Sequence, residues 1–343
     1  VPDFPYINAR VRAMRSRLLA SAQLEELLAS PTPASLLQAL TSTPYGGDLQ
    51  EALVRYEGVR AVDEALARNF QRTTRTILQF ADGQPRTLIE VLLLRWDLAN
   101  LRAIVRGKHA GRSGDDVVEV LLPAGTLSEV VLKEMAAQPD MRALAGTLDA
   151  VGHPFALPLA HGVAEYMASK DLAALELHLD RAYIEEGLGH AGSKGSDADV
   201  LAEIIRFEID AANVKTALKL ARAGDLDAAR RIRYFIAGGA SVDEGLFLAL
   251  SSAHTQTQAW DTLRIRHFPV RELPSDPVTF ERQLDLSTAR TLAGYYRGNP
   301  LGLDIVIGYL AMKAAEVANL RLIARGKFLG LPRELVRREM LLV

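Results

Sequence analysis

The twelve residues Asp97-Leu98-Ala99-Asn100-Leu101-Arg102-Ala103-Ile104-Val105-Arg106-Gly107-Lys108 return as Glu316-Val317-Ala318-Asn319-Leu320-Arg321-Leu322-Ile323-Ala324-Arg325-Gly326-Lys327, with eight of the twelve positions identical. A weaker copy, Asp210-Ala211-Ala212-Asn213-Val214-Lys215-Thr216-Ala217-Leu218-Lys219, lies between them, and a fainter one, Tyr6-Ile7-Asn8-Ala9-Arg10, precedes all three. Asn100, Asn213 and Asn319 stand 113 and 106 residues apart, and Asn8 lies 92 residues before Asn100. In each full copy the acid and the asparagine are three residues apart, and the two basic residues that follow are four apart. Each pair therefore shares one face of a helix. An active site is normally assembled once, so a motif present three times speaks for architecture. Asp97, Asn100, Asp210, Asn213, Glu316 and Asn319 are expected to be packed polar residues that bond a neighbouring helix's backbone and fix its register.

Other landmarks keep the same register. Pro123-Ala124-Gly125-Thr126-Leu127-Ser128 follows Asn100 at about the distance by which Ile236-Ala237-Gly238-Gly239-Ala240-Ser241 follows Asn213. Thr43-Pro44-Tyr45-Gly46 corresponds to Gly152-His153-Pro154-Phe155 and to His267-Phe268-Pro269. Leu66-Ala67-Arg68-Asn69-Phe70 corresponds to Leu179-Asp180-Arg181-Ala182-Tyr183. The chain reads as three related helical modules, 1–108, 109–222 and 223–343, and the marker helix either opens or closes each. The period far exceeds the roughly 34–47 residues of TPR and HEAT arrays, which disfavours a solenoid.

The fold class is all-α. Asp63-Glu64-Ala65-Leu66-Ala67-Arg68-Asn69-Phe70 and residues 201–221 carry apolar side chains at three- and four-residue spacing, and alternating β-branched runs are almost absent. Thr126-Leu127-Ser128-Glu129 and Ser241-Val242-Asp243-Glu244 match the capping box at a helix start. Gly107, Gly224 and Gly326 are expected to stop helices by taking the left-handed conformation. Loops are expected at 108–114, 187–199 and 297–300. Arg95-Trp96-Asp97 interrupts the apolar run 91–105, which places that helix in a protein core and Trp96 in packing.

Composition narrows the function. The 343 residues are 49% hydrophobic and 24% charged, a globular balance with enough apolar mass for a core. Aromatics supply only 6%, so the core rests on Leu, Ala, Val and Ile, which suits helix-on-helix packing. The absence of cysteine excludes a disulfide scaffold, cysteine-ligated zinc, an iron–sulfur cluster and a cysteine nucleophile. Forty basic against 42 acidic residues leave a net charge of −2, which excludes a globally basic nucleic-acid binder. Basic clusters interleaved with aromatics are also missing, so no nucleic-acid partner is expected. Residues 8–17 carry four arginines where a signal peptide needs its apolar core. Uncharged stretches such as 245–260 turn polar short of the ~20 apolar residues of a membrane span, so no transmembrane segment is expected.

The charge is unevenly spread. Residues 1–17 carry +3 and residues 313–343 carry +4, leaving −9 for the middle. One reading puts the basic residues at helix C-termini, where the dipole favours them. The other has both ends facing something anionic, with Arg10, Arg12, Arg15 and Arg17 as the candidate contacts.

Motifs for chemistry do not assemble. There is no Gly-x-x-x-x-Gly-Lys-Ser/Thr loop for nucleotide phosphates. Gly187-Leu188-Gly189-His190-Ala191-Gly192 matches the dinucleotide string, but a helical stretch ending in Tyr183-Ile184-Glu185-Glu186 precedes it where a strand is required. The seven histidines, at 109, 153, 161, 178, 190, 254 and 267, are scattered, and His153 and His267 read as turn residues. Asp115-Asp116 and Glu185-Glu186 read as solvated helix ends. No catalytic, cofactor-binding or metal-ligating residues are assigned.

Several stretches resemble the C subunit of the V-type and A/V-type rotary ATPases, a family related to the d subunit of eukaryotic V-ATPases. They are Tyr6-Ile7-Asn8-Ala9-Arg10-Val11-Arg12, Thr43-Pro44-Tyr45-Gly46-Gly47, Leu92-Leu93-Leu94-Arg95-Trp96-Asp97-Leu98-Ala99-Asn100-Leu101 and Leu121-Leu122-Pro123-Ala124-Gly125-Thr126-Leu127. Glu208-Ile209-Asp210-Ala211-Ala212-Asn213-Val214-Lys215-Thr216-Ala217 and residues 316–332 complete the set, in order along essentially the whole chain. The resemblance implies a funnel-shaped protein of three similar modules in pseudo-threefold arrangement. It implies a non-catalytic central-stalk socket between the soluble shaft, formed by the D and F subunits, and the membrane proteolipid ring. It also implies a peripheral location on the cytoplasmic face of the membrane, with rotation coupled to proton or sodium transport. Val214 and Lys215 replace Leu and Arg in the middle marker copy, which also lacks the Arg-Gly-Lys ending. A free-standing helical adaptor for another partner is the alternative from a different class, and it differs only in what it captures.

Overall fold

The three- and four-residue spacing is realised as helix throughout. A computed structural model describes residues 3–190, 192, 195–223, 226–265 and 276–343, and every regular element among them is helical, so the chain is all-α. In order these are α1 (Phe4–Arg15), α2 (Ser21–Ala29), α3 (Pro33–Thr41), α4 (Gly46–Leu53), α5 (Gly58–Gln79), α6 (Gly83–His109), α7 (Gly114–Val118), α8 (Glu129–Ala137) and α9 (Met141–Ala150). There follow α10 (Ala156–Ser169), α11 (Leu172–Gly189), α12 (Asp197–Arg222), α13 (Ala228–Ile232), α14 (Glu244–Ser251), α15 (Gln256–Ile265), α16 (Pro277–Gly294), α17 (Asp304–Phe328) and α18 (Arg333–Arg338). A 3-10 turn, Tyr295–Arg297, precedes α17.

The helices gather into two compact units, Val1–Ala156 with Ala293–Val343, and Leu157–Leu292. In the first unit α5 buries Ala61, Val62, Ala65, Leu66, Asn69, Phe70, Thr73 and Ile77, one face at helical spacing. α5 packs on α4 and on α17, and α17 also meets α1, α2, α3 and the 3-10 turn. Contacts on so many sides explain why α17 is apolar nearly all round, with Ile305, Val306, Ile307, Leu310, Val317, Leu320 and Ile323 buried. Gly308 lets the Tyr296 backbone lie directly against it, since a Cβ there would overlap the Tyr296 nitrogen. Trp96 is half-buried and meets Phe70 edge-on, 5.3 Å between centroids. In the second unit Phe247, Leu250, Leu263, Phe280 and Leu284 close over Val214 and Ala217 of α12.

The structure corrects three local expectations. Gly107 and Gly326 do not stop helices: α6 runs on to His109 and α17 to Phe328. The left-handed residues are Gly111 and Gly330, with φ of +66° and +69°. Arg112 then donates back to the Gly107 carbonyl at 2.9 Å and Leu331 to that of Gly326 at 2.8 Å, the closing bond of a Schellman cap. Gly107 and Gly326 are small for a different reason, because a Cβ would collide with Val117 Cγ2 or Val336 Cγ2. Gly224 lies outside the described residues.

The helix starts also move. α8 is capped by Ser128, which accepts from Val131 N–H, and α14 by Asp243, which accepts from Leu246 N–H. The hydroxyls of the expected boxes come two residues too early, and Thr126 is engaged elsewhere. The glycine string at 187–192 begins inside α11, where a Cβ on Gly187 would collide with Ile205 Cδ1. It is a helix-packing glycine. Ala191 lies outside the described residues.

Asp48, at the start of α4, is 5% exposed and accepts from Arg72 at 2.6 Å and from Asn69 at 2.9 Å. Burial opposes its charge, but the hydrogen bonds from Arg72 and Asn69 outweigh burial and hold the carboxyl below its ordinary pKa. A depressed carboxyl contributes stability that is complete above the unfolded value, about 3.9, and is lost as pH falls through the folded value. Asp48→Asn is therefore expected to lower stability at neutral pH and to flatten the acid limb below about pH 4, read by urea unfolding across pH.

Candidate functional site

Asp97 and Asn100 lie one turn apart on α6, and both are buried. Asn100 holds a loop residue by both of its groups: its Nδ2 donates to Leu122 O at 2.7 Å, and Leu122 N donates to its Oδ1 at 2.8 Å. The Asp97 carboxylate accepts from Thr126 N at 2.7 Å, Thr126 Oγ1 at 2.8 Å and Leu127 N at 3.0 Å. The loop between these anchors presses Gly125 onto the carboxylate, where a Cβ would overlap it. The expected target was a helix backbone. The bonds go to a loop because its N–H groups have no helical partner of their own.

His153 completes this clamp. Its Nδ1 accepts from Phe155 N at 3.2 Å, which places the proton on Nε2, 3.2 Å from Thr126 Oγ1 and 3.5 Å from Asp97 Oδ2. His153 is thus more than a turn residue. Its counterpart His267, with Phe268 and Pro269, lies outside the described residues.

The arrangement recurs on α12. Asn213 donates to Ile236 O at 2.7 Å and accepts from Ile236 N at 2.9 Å. Asp210 accepts from the backbone N–H groups of Ala240, Ser241 and Val242 at 3.1, 2.8 and 2.9 Å. Here Gly239 takes the place against the carboxylate.

On α17 the same pair builds a different clamp. Asn319 donates to Leu341 O at 2.9 Å and accepts from Leu341 N at 2.6 Å, as its counterparts do. Glu316, one methylene longer than aspartate, accepts from Leu19 N and from the Tyr45 hydroxyl. Lys313 donates to Tyr45 at 2.6 Å and to Glu316 at 3.1 Å. Lys313 and Tyr45 supply the second and third donors, which in the other clamps are backbone N–H groups and, at Asp97, the Thr126 hydroxyl. Burial pushes the Lys313 amine below its ordinary pKa while Glu316 opposes the shift; burial and Glu316 together push the Tyr45 phenol well up. Asn8, the fourth marker asparagine, donates to Pro300 O at 3.0 Å and Gly302 O at 2.8 Å.

Two of the basic pairs that follow the asparagines bind a neighbouring helix. Arg321 and Arg325 flank Asp63 of α5 at 3.3 and 3.0 Å. Lys215 pairs with Asp285, and Lys219 reaches Glu281 at 3.9 Å, both on α16. Arg10, Arg12 and Arg15 lie on α1 and Arg17 just after it, all exposed. Arg10 stacks 5.4 Å over the Tyr6 and Phe80 rings, and Arg15 lies 4.6 Å over Tyr296. The marker acids and asparagines take their hydrogen bonds from other groups than these arginines.

Sequence reasoning missed Tyr45, Lys313 and Leu19. The aligned turns at 43–46 and 152–155 were the available signal, because both turns sit beside a marker acid. Among the described residues no group of three or more His, Asp or Glu is arranged to hold a metal ion, and no helix is long and apolar enough to cross a membrane.

Polar groups repeated on three helices and committed to holding the chain's own loops define a structural protein. The model of the ATP synthase (C/AC39) subunit family matches residues 7–339, and the chain belongs to that family. As a member it is a structural stalk subunit, not catalytic by itself. It is similar to the C subunit of the V-type ATP synthase of Deinococcus radiodurans, 32% identical over 98% of this chain and 91% of that protein. It is equally similar to that of Thermus thermophilus, 32% identical over 98% of each chain. The C subunit of the A-type ATP synthase of Haloferax volcanii is 30% identical over 98% of this chain and 97% of its own.

Proposed function

We propose that this chain is the socket of a rotary ATPase, joining the soluble shaft of D and F subunits to the membrane proteolipid ring on the cytoplasmic face and passing rotation between them. The family match along 7–339 carries this reading. We extend it to three modules of one design, 1–108, 109–222 and 223–343, each with its marker helix; the recurrence of the acid–asparagine pair on α6, α12 and α17 supports three copies, and each clamp ties one module to another. A torque-transmitting part must resist deformation, and close-packed helices with buried, fully bonded polar clamps resist it well. The test is co-capture. The purified chain is expected to bring down the D subunit and, separately, the detergent-solubilised ring; capture of neither would point to an adaptor for some other partner.

Arg10, Arg12, Arg15 and Arg17 are our candidate contacts to acidic ring loops or anionic head groups. All four are exposed, and each basic residue at such a surface contributes about 1 kcal/mol, screened by salt. Replacing all four by Gln is expected to weaken ring attachment at low salt and to flatten its dependence on ionic strength. A variant with the parent's salt dependence would remove these residues from the interface.

A further inference from the structure

Many arginines of the first unit pair with acids: Arg72 holds Asp48, Arg86 Glu90, Arg325 Asp63 and Arg333 Glu25. Arg10, Arg12, Arg15, Arg17 and Arg297 are exposed, and among the described residues no carboxylate pairs with any of them. They stand together. α1 buries Phe4, Ile7, Asn8 and Val11 and turns the small residues Ala9 and Ala13 to solvent, with Arg10 on one side of that open face and Arg12 and Arg15 on the other. On the first side Arg10 stacks over Phe80 and over Tyr6, which is 44% exposed. On the second side Arg15 lies over Tyr296, and Arg297 follows it. Asn8 bonds the carbonyls of Pro300 and Gly302 there, and Asn299 Oδ1 accepts from Leu301 N at 3.0 Å. Leu301 is thereby held at a tip, 63% exposed. Asp3 and Asp82, the acids nearest in sequence to Tyr6 and Phe80, cap α1 and α6. Five arginines against these two acids leave the face at +3.

We propose, resting on the socket reading above for the membrane itself, that this face docks on the anionic head groups of a lipid bilayer, with Leu301 entering the layer. A guanidinium presents a planar N–H fork that matches phosphate oxygens, and stacking on a ring leaves the fork free. Five unpaired forks are spread along a helix and the turn beside it, which suits a layer of phosphates better than one compact acidic loop. Tyr6 and Tyr296, beneath two of the arginines, belong to a residue type enriched at membrane–water interfaces. Leu301 weighs in the same direction. An acidic protein loop has no use for an apolar tip among arginines, whereas a bilayer takes such a side chain into the boundary between head groups and acyl chains. Asn8, the fourth marker asparagine, then acts as a positioning residue, because its two bonds fix the segment that carries this leucine.

The test is co-sedimentation of the purified chain with vesicles of mixed phosphatidylglycerol and phosphatidylcholine, and with vesicles of phosphatidylcholine alone. Binding to the mixed vesicles that falls as salt rises is expected, with none to phosphatidylcholine. Arg297→Gln is expected to weaken it about fivefold and to lessen its dependence on salt. Leu301→Ser is expected to weaken it about tenfold while keeping the parent's salt dependence. Both side chains are exposed, so neither substitution enters the core, and circular dichroism of each variant should match the parent. Equal binding to both kinds of vesicle, or parent-like binding by either variant, would overturn the proposal. So would a chain that captures the detergent-solubilised ring but no vesicle, which would assign the arginines to acidic ring loops. Capture of neither would remove the socket reading as well.

Discussion

Asp97→Ala is expected to destabilise the unit that contains it by about 3–5 kcal/mol. The side chain is fully buried and its carboxylate accepts two backbone N–H groups and the Thr126 hydroxyl. Hydrogen bonds to a charged group each contribute about 1.5–3 kcal/mol net, and removing the acceptor leaves the donors buried and unpaired. Gly125 packs against that carboxylate, so truncation also opens a void. Asp97→Asn is expected to cost less, because the side-chain volume and one accepting oxygen are kept, although its NH2 cannot accept from the donors on the other side. Urea unfolding followed by circular dichroism reads both variants. A loss below about 1 kcal/mol for alanine would mean that the clamp does not hold the loop.

Gly308→Val is expected to cost about 3–4 kcal/mol through backbone displacement. The added atoms meet the Tyr296 main chain, which cannot rotate away as a side chain would. α17 cannot retreat either, since its opposite sides pack on α5, α1 and α2. Overpacking typically costs about 1–3 kcal/mol and occasionally more, and the obstacle here is main chain, which outweighs the few tenths of a kcal/mol that valine gains over glycine in helix propensity. Gly146→Ala, in the middle of α9 with nothing within 4 Å of its Cβ position, is the matched control. It is expected to stabilise by about 0.5–1 kcal/mol through helix propensity alone.

The sequence made the marker residues conspicuous because a carboxylate and an asparagine one turn apart in an apolar helix have to be bonded if they are buried. The stretches 123–128 and 236–241 stood out at similar distances from Asn100 and Asn213, but the bonds were expected on a helix and fall in and beside those stretches instead. The clamp at Glu316 was opaque for a topological reason. Leu19 and Glu316 are 297 residues apart, and no local rule pairs them. The aligned turns at 43–46 and 152–155 marked the place of Tyr45 but not its bond to Glu316, 271 residues away, and Lys313 has no counterpart in the other marker copies. Gly107 and Gly326 were noticed for the right recurrence and the wrong mechanism: two glycines lie near each helix end, and only the later one is left-handed. The charge split pointed to four arginines, all of them exposed, but said nothing of the Tyr6, Phe80 and Tyr296 rings beneath two of them.

The socket reading is tested most directly by coupling. A rotary ATPase assembled without this chain and reconstituted in vesicles should still hydrolyse ATP in its soluble head while ATP-driven ion transport is lost. Adding the purified chain back should restore transport. Transport that proceeds at the parent rate without the chain would contradict the account.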